Sequence, residues 1–270
     1  MKTDTELIML GTGNAMAVAC YNTCFALRKE EEYFLVDAGG GNGIFDRLQK
    51  ADIPIGRIHH IFLTHAHTDH ILGMVWMVRK IAAMMLAGKY EGTCKIYCHE
   101  EAADALVTIC RLTLAGKFMK CIGESILIEK VKDGEKADVM GMPVCFFDIH
   151  STKMKQFGFQ MMVEGKQITC LGDEPFREEL RSYAKDSDYL LCEAFCLDAD
   201  KEIFKPYEKH HSTALDAGRL AKELNVKTLL LYHTEDSNLA ERKERYTKEA
   251  MQMFDGAVLV PDDLERISIT

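Results

Sequence analysis

The sequence is poor in several things at once, and each shortage removes a class of protein. Five prolines in 270 residues, with no Pro/Ser-rich stretch and no low-complexity tract, leave no linker at which to divide the chain. It therefore reads as a single domain over 1–270, and 47% hydrophobic residues are ample for a packed core. Positive charge is also in deficit. Thirty-three Lys and Arg stand against 42 Asp and Glu, so the net charge of −9 gives no global basic footprint for coating nucleic acid or binding an anionic membrane. The longest apolar segment, 71–87, is broken by Arg79-Lys80 and is too short to span a bilayer, so it reads as a buried helix. The opening MKTDTELIMLGTG has neither the apolar stretch nor the cleavage site of a signal peptide, which predicts a cytoplasmic chain. None of the ten cysteines forms a C-x2-C pair, which argues against a closed zinc knuckle. Reduced core thiols are the expectation.

What the sequence does have is alternation of β-rich and helical segments. Strands are predicted over 6–10, 24–28, 33–36, 58–63, 95–98, 125–131, 144–149, 158–164, 167–171, 189–192, 228–232 and 257–260. Helices are predicted over 44–50, 71–87, 100–114, 176–185, 212–224 and 237–253. Each half supplies strands followed by helices, which suits an α/β fold in which two mixed β-sheets are stacked between helices, an αββα sandwich.

The chemistry concentrates at Thr64-His65-Ala66-His67-Thr68-Asp69-His70, where three histidines and an aspartate occupy seven residues at the end of a strand. His65 and His67, two apart on an extended turn, can grip one ion; Asp69 and His70 point toward another. Neutral imidazole and carboxylate suit zinc, manganese or iron, and burying such groups together without a cation is costly. Four residues do not fill two sites. His150, Asp173 and His233 each directly follow a β-rich run and are the candidates to complete them. Asp37, in Leu35-Val36-Asp37-Ala38-Gly39, either hydrogen-bonds a ligand histidine or caps the glycine bend that follows. His59, His60 and His99 read as loop or helix-start residues.

The series LGTGNA, LVDAG, THAHTDH, His150, Leu171-Gly172-Asp173 and LLLYH resembles the metallo-β-lactamase superfamily over almost the whole chain. That resemblance implies His65, His67 and His150 on one divalent ion and Asp69, His70 and His233 on a second. Asp173 would bridge them, and a metal-activated hydroxide would act as nucleophile. Zinc is the expected metal, with manganese or iron as alternatives. Asp69 would also orient the water or accept its proton. His210-His211-Ser212-Thr213 is similar to the His-Ser-Thr loop of ribonuclease Z-like phosphodiesterases, which implies His211 as general acid. Ser212 and Thr213 equally suit a helix N-cap. Only Glu193-Ala194 survives of the His-Glu-Ala-Thr loop in those enzymes, leaving Glu193 either as partner to His211 or as a turn residue.

The tRNA-processing relatives carry a protruding arm between the third histidine and the bridging aspartate. Here 151–172 has room for little more than a hairpin, so a small phosphodiester, such as a cyclic nucleotide, is expected as substrate in place of tRNA. A carboxylic-ester, thioester or lactone hydrolase is the alternative, which Tyr232 or Tyr207 near the metals would favour. A non-hydrolytic iron redox protein or binding module is the third. The Met-rich 71–114 segment can pack in the core, wall or cap the cleft, or form a homodimer face.

Overall fold

The computed structural model describes residues 5–269. The chain runs β1 (Thr5–Gly11), β2 (Cys24–Lys29), β3 (Glu32–Val36), α1 (Gly43–Lys50), β4 (Ile58–Phe62), α2 (Thr68–Leu86), β5 (Cys94–Cys98), α3 (Glu100–Thr113), α4 (Gly116–Met119) and β6 (Ile126–Lys130). It continues with β7 (Lys136–Val139), β8 (Met142–Asp148), β9 (Phe157–Val163), β10 (Lys166–Cys170), α5 (Arg181–Ala184) and β11 (Tyr189–Glu193). The last elements are α6 (Lys201–Phe204), α7 (Ala214–Glu223), β12 (Thr228–Tyr232), α8 (Leu239–Ala250), β13 (Ala257–Leu259) and β14 (Arg266–Ser268).

Two seven-stranded sheets result, ordered β14-β1-β2-β3-β4-β5-β6 and β13-β12-β11-β10-β9-β8-β7. In the first, β14, β1, β2 and β3 pair antiparallel, and β3 through β6 pair parallel. The second repeats that plan from β7, antiparallel to β10 and parallel from there to β13. Three apolar layers hold the stack. Phe25, Phe34, Phe62, Phe146 and Phe159 fill the space between the sheets, with Phe62 and Phe146 rings 4.9 Å apart. Met74, Met77, Val78 and Ile81 of α2 pack with Ile8, Leu35 and Ile61 on one outer face. Ala217 and Ala221 of α7 and Tyr246 of α8 pack with Leu190, Leu229 and Leu231 on the other. This is the expected αββα sandwich.

Local differences from the sequence reading have simple causes. The predicted helix over 176–185 is a short 3-10 turn (Glu178–Leu180) running into the four-residue α5. Strands β7 and β14 carry no apolar run and escape periodicity; each lies at a sheet edge, made by its backbone pairing alone. His59 and His60 lie within β4, not in a loop, with His60 stacked on Tyr97. Nine cysteines are buried, Cys20 is half-buried, and all ten are free thiols. Among the described residues no helix is long and apolar enough to cross a membrane.

Candidate metal centre and active site

Parallel strands align their C-terminal ends, and the site assembles there. Beyond β4 the extended turn carries His65 and His67, and α2 begins at once, with Asp69 and His70 in its first turn. Beyond β10 comes Asp173, and beyond β12 comes His233. Several of these exits turn through left-handed backbone: Asp37 at φ 55°, Gly172 at 77° and His233 at 59°. Such conformations are uncommon for non-glycine residues and gather at functional sites.

Two clusters form. His65, His67 and Asp173 bring ligand atoms within 4.8 Å of one another, as do Asp69, His70 and His233. All but His67 are buried. Asp173 joins the clusters: its Oδ2 lies 3.5 Å from His65 Nε2, 3.5 Å from His70 Nε2 and 3.6 Å from His233 Nε2. His70 Nε2 is also 3.3 Å from Asp69 Oδ2, yet has no hydrogen-bond partner.

Hydrogen bonds behind the histidines set their tautomers. Asp37 Oδ2 accepts from His70 Nδ1 at 2.7 Å and from Thr64 Oγ1 at 2.7 Å, while Oδ1 accepts the Thr64 backbone N–H. Having given its proton to Asp37, Thr64 Oγ1 is left to accept from His65 Nδ1 at 2.9 Å. Thr23 Oγ1, which donates to the Gly13 carbonyl, likewise accepts from His233 Nδ1 at 3.2 Å. In their neutral form all three rings carry the proton on Nδ1 and turn Nε2 inward, the arrangement metal-binding histidines use. Asp37 is therefore hydrogen-bonded directly to one candidate ligand and through Thr64 to another.

Electrostatics agrees with a cation site. Burial pushes His65 well below the usual histidine range and His233 down to about 4, keeping both neutral. Burial works against ionised Asp173 and Asp69, but the surrounding histidines outweigh it and hold both carboxyls low. Burial likewise opposes a charged His70, yet Asp69 and Asp37 win and raise it well above its ordinary value. Without metal, the buried carboxylates keep a proton on His70. An orphaned Nε2, inward lone pairs and buried carboxylates fit divalent metal ions.

His150 is not brought to either cluster. It sits exposed at φ 56° beyond β8, its backbone N–H held by Asp148 Oδ1. Its side chain is exposed, and Gln156, after the loop, lies beside His65 and Asp173 instead. That residue and Thr23 carry no motif that would single them out in sequence, and Thr64, although it opens the 64–70 motif, shows no role there until the fold sets it against Asp37.

His211 does reach the site, with its ring centroid 5.3 Å from that of His233. It stacks on Phe195 at 4.9 Å and 9°, and its Nδ1 faces Glu193 Oε2 at 3.6 Å. Glu193 is fully buried, and its Oε1 accepts the Ser212 N–H at 2.6 Å, so it belongs to the His-Ser-Thr loop and not to a solvated turn. Burial raises its carboxyl, against the pull of His211 and Ser212. Thr213 caps α7 through a reciprocal box with Asp216. His210 points elsewhere, its Nδ1 2.6 Å from Thr152 Oγ1, and His99 caps α3.

A cleft of about 340 Å³ opens beside His211 and His233, walled by Met16, Phe195 and Phe204 and rimmed by Lys153 and Lys209. Met16 lies on a loop that Asp236 pins by accepting the Val18 and Ala19 N–H groups at 2.6 and 2.7 Å. Neither tyrosine named by the ester-hydrolase alternative offers its hydroxyl to the site. Tyr232 donates to the Gly172 carbonyl at 2.5 Å, and Tyr207 donates to Asp216 at 2.8 Å.

Comparison with known proteins matches this fold. A ribonuclease Z from Synechocystis sp. is 28% identical over 279 aligned positions, covering 84% of this chain and 82% of that protein. The short form of human tRNase Z superposes with a TM-score of 0.76 at 23% identity, over 98% of this chain and 99% of that one. The metallo-β-lactamase fold protein YhfI from Bacillus subtilis gives the same TM-score at 18% identity, over 98% and 99%. The sequence model of one family, described as "Anti-Pycsar protein Apyc1", matches residues 5–254. The chain has the metallo-β-lactamase fold in its ribonuclease Z-like form and belongs to the Apyc1 family.

Proposed function

We propose that the protein is a dinuclear metal-dependent phosphodiesterase that opens a small cyclic nucleotide. The observation that carries this reading is His211, seated against His233 and backed by buried Glu193 at the mouth of the 340 Å³ cleft. A hydrolase of the ribonuclease Z-like branch is the coarser statement, and Apyc1 membership supports a cyclic nucleotide as the particular phosphodiester.

His65, His67 and Asp173 would hold one divalent ion and Asp69, His70 and His233 a second, zinc in the first instance, and such ions would supply Lewis-acid polarisation of the phosphoryl group and a water of near-neutral pKa. The protein's own groups do the rest. Asp69, held ionised by His70, orients that water in preference to taking its proton. With one proton of that water lost to solvent, its oxygen bonds to phosphorus as the bond from phosphorus to a ribose oxygen breaks. His211, whose Nδ1 faces Glu193, delivers a proton from its Nε2 edge to the departing oxygen. The ring opens to a nucleoside monophosphate. Met16, Phe195 and Phe204 give the nucleoside an apolar wall, and the cleft carries both Lys153 and Lys209, which can meet a phosphate, and the acidic Glu235 and Asp236.

The cleft's volume is at the low end of the roughly 300–1,000 Å³ typical of small-molecule sites. Between His150 and Asp173 the chain forms only a loop and the β9–β10 hairpin. Both features favour a mononucleotide-sized substrate over tRNA. The test is a panel on metal-loaded protein: 3′,5′-cyclic mononucleotides, bis(p-nitrophenyl) phosphate, a thioester, a lactone and nitrocefin. The reading expects turnover of the phosphodiesters, abolished by chelator. Activity on the thioester or lactone with none on any phosphodiester overturns it.

A further inference from the structure

We infer that Gln156 is a positioning residue that aims the Asp173 carboxylate at both metal clusters; the inference rests on the dinuclear reading of the site. Gln156 is 1% exposed and immediately precedes β9. Its backbone is pinned on both sides: the Gln156 carbonyl accepts the Ile149 N–H at 3.0 Å, and the Phe157 N–H donates to the Thr64 carbonyl at 3.0 Å. The side chain therefore enters the site from a fixed root between the end of β8 and the turn that carries His65.

Its amide Nε2 donates to Asp173 Oδ1 and lies 2.8 Å from His65 Nδ1. The second contact is not a hydrogen bond in the tautomer the network requires, because His65 Nδ1 already carries the proton given to Thr64. An N–H cannot accept, whereas a carboxylate can only accept. The amide must therefore turn its NH2 to Asp173, since the opposite orientation would set a carbonyl oxygen against a carboxylate. With Oδ1 tied down in this way, Oδ2 is the oxygen left facing His65, His70 and His233.

Two features show that this contact constrains its surroundings. Gln156 Oε1 is buried with no partner, a penalty that native structures accept rarely and at sites with a reason. In addition, Gln156 packs closely against Gly172: a Cβ there would meet Gln156 Cδ and Oε1 at 3.1 Å, a tight contact on a backbone whose φ of +77° already favours glycine.

The test is Gln156→Met, which keeps length and bulk and removes the donor. Metal-free Q156M should still unfold cooperatively, at a melting temperature lowered at most by the lost bond to Asp173, while its zinc affinity, measured by chelator competition, falls roughly 10- to 100-fold, as for other groups that orient ligands. The visible spectrum of the Co2+-loaded protein should change because the bridging carboxylate is no longer fixed, and kcat should fall with KM little altered. If Q156M does not fold, Gln156→Glu, similar in shape but without the amide donor, reads the same quantities at pH 8. Wild-type zinc affinity with an unchanged Co2+ spectrum overturns the inference, whatever the turnover. If wild-type protein binds two zinc ions and cleaves no phosphodiester, the proposed function fails while the affinity and spectral results still decide the role of Gln156.

Discussion

Replacing Asp37 by asparagine removes one oxygen from the residue that serves two candidate ligands. Three donors converge on the carboxylate: Thr64 N–H on Oδ1, and Thr64 Oγ1 and His70 Nδ1 on Oδ2. An asparagine has one acceptor oxygen. If it occupies the Oδ2 position, the Thr64 N–H is left facing an NH2 group. A buried donor so stranded costs about 1–3 kcal/mol. The opposite orientation sets NH2 against His70 Nδ1, forces the proton to Nε2 and removes the inward lone pair. At about 2–4 °C per kcal/mol, the smaller penalty predicts that metal-free Asp37→Asn melts roughly 2–12 °C below wild type. Loss of the negative charge behind His70 should also weaken zinc binding roughly 10- to 100-fold, or about 1.4–2.8 kcal/mol at 1.4 per decade. Scanning calorimetry on EDTA-stripped protein and zinc competition against a chromophoric chelator measure the two effects. Zinc affinity within twofold of wild type would refute the hydrogen-bond reasoning even if the melting temperature fell.

Other perturbations probe different links. His211→Ala should keep its metal and lose roughly 10²-fold or more in phosphodiester turnover; metal loss in that variant, read by elemental analysis, would show that its role has been misassigned. Gly73→Ala should destabilise the protein, because a Cβ would sit 1.9 Å from the Ala38 carbonyl oxygen, where α2 crosses the bend after Asp37. Relief of such overpacking costs about 1–3 kcal/mol, and a urea midpoint equal to wild type would contradict the close approach. Acid should destabilise the metal-free protein. His65 and His233 bind protons more weakly folded than unfolded, so their contribution is lost as pH falls from about 6.5 toward 4. His70 is shifted upward, so its stabilising contribution is already complete below about 6.5 and does not change across that window. A melting temperature that rises between pH 6.5 and 5 would contradict these directions.

Much of this was legible in the sequence for a physical reason: ligands that follow buried parallel strands announce both the strand and its end. Thr228–Tyr232 is both the predicted and the observed span of β12, and His233 follows it. His150 had the same signature after β8, yet its side chain is exposed while that of His233 is buried on the same left-handed backbone, a difference set by the loop that follows and not by any local sequence signal. Thr23, Thr64 and Gln156 were invisible because an ordinary hydroxyl or amide acquires meaning only from what the fold sets beside it. Glu193 lay between those cases. The strand over 189–192 was readable, but that it extends through Glu193 was not, and the bond to the Ser212 N–H that ties Glu193 to His211's loop depends on the packing of two distant segments.

The central claim is that one carboxylate, Asp173 Oδ2, stands between two metal clusters. Anomalous diffraction from crystals grown with zinc tests it most directly. The account predicts two peaks roughly 3.5–4 Å apart, one beside His65 and His67, the other beside Asp69, His70 and His233, with Asp173 touching both. A single peak, or two that Asp173 does not join, would contradict it.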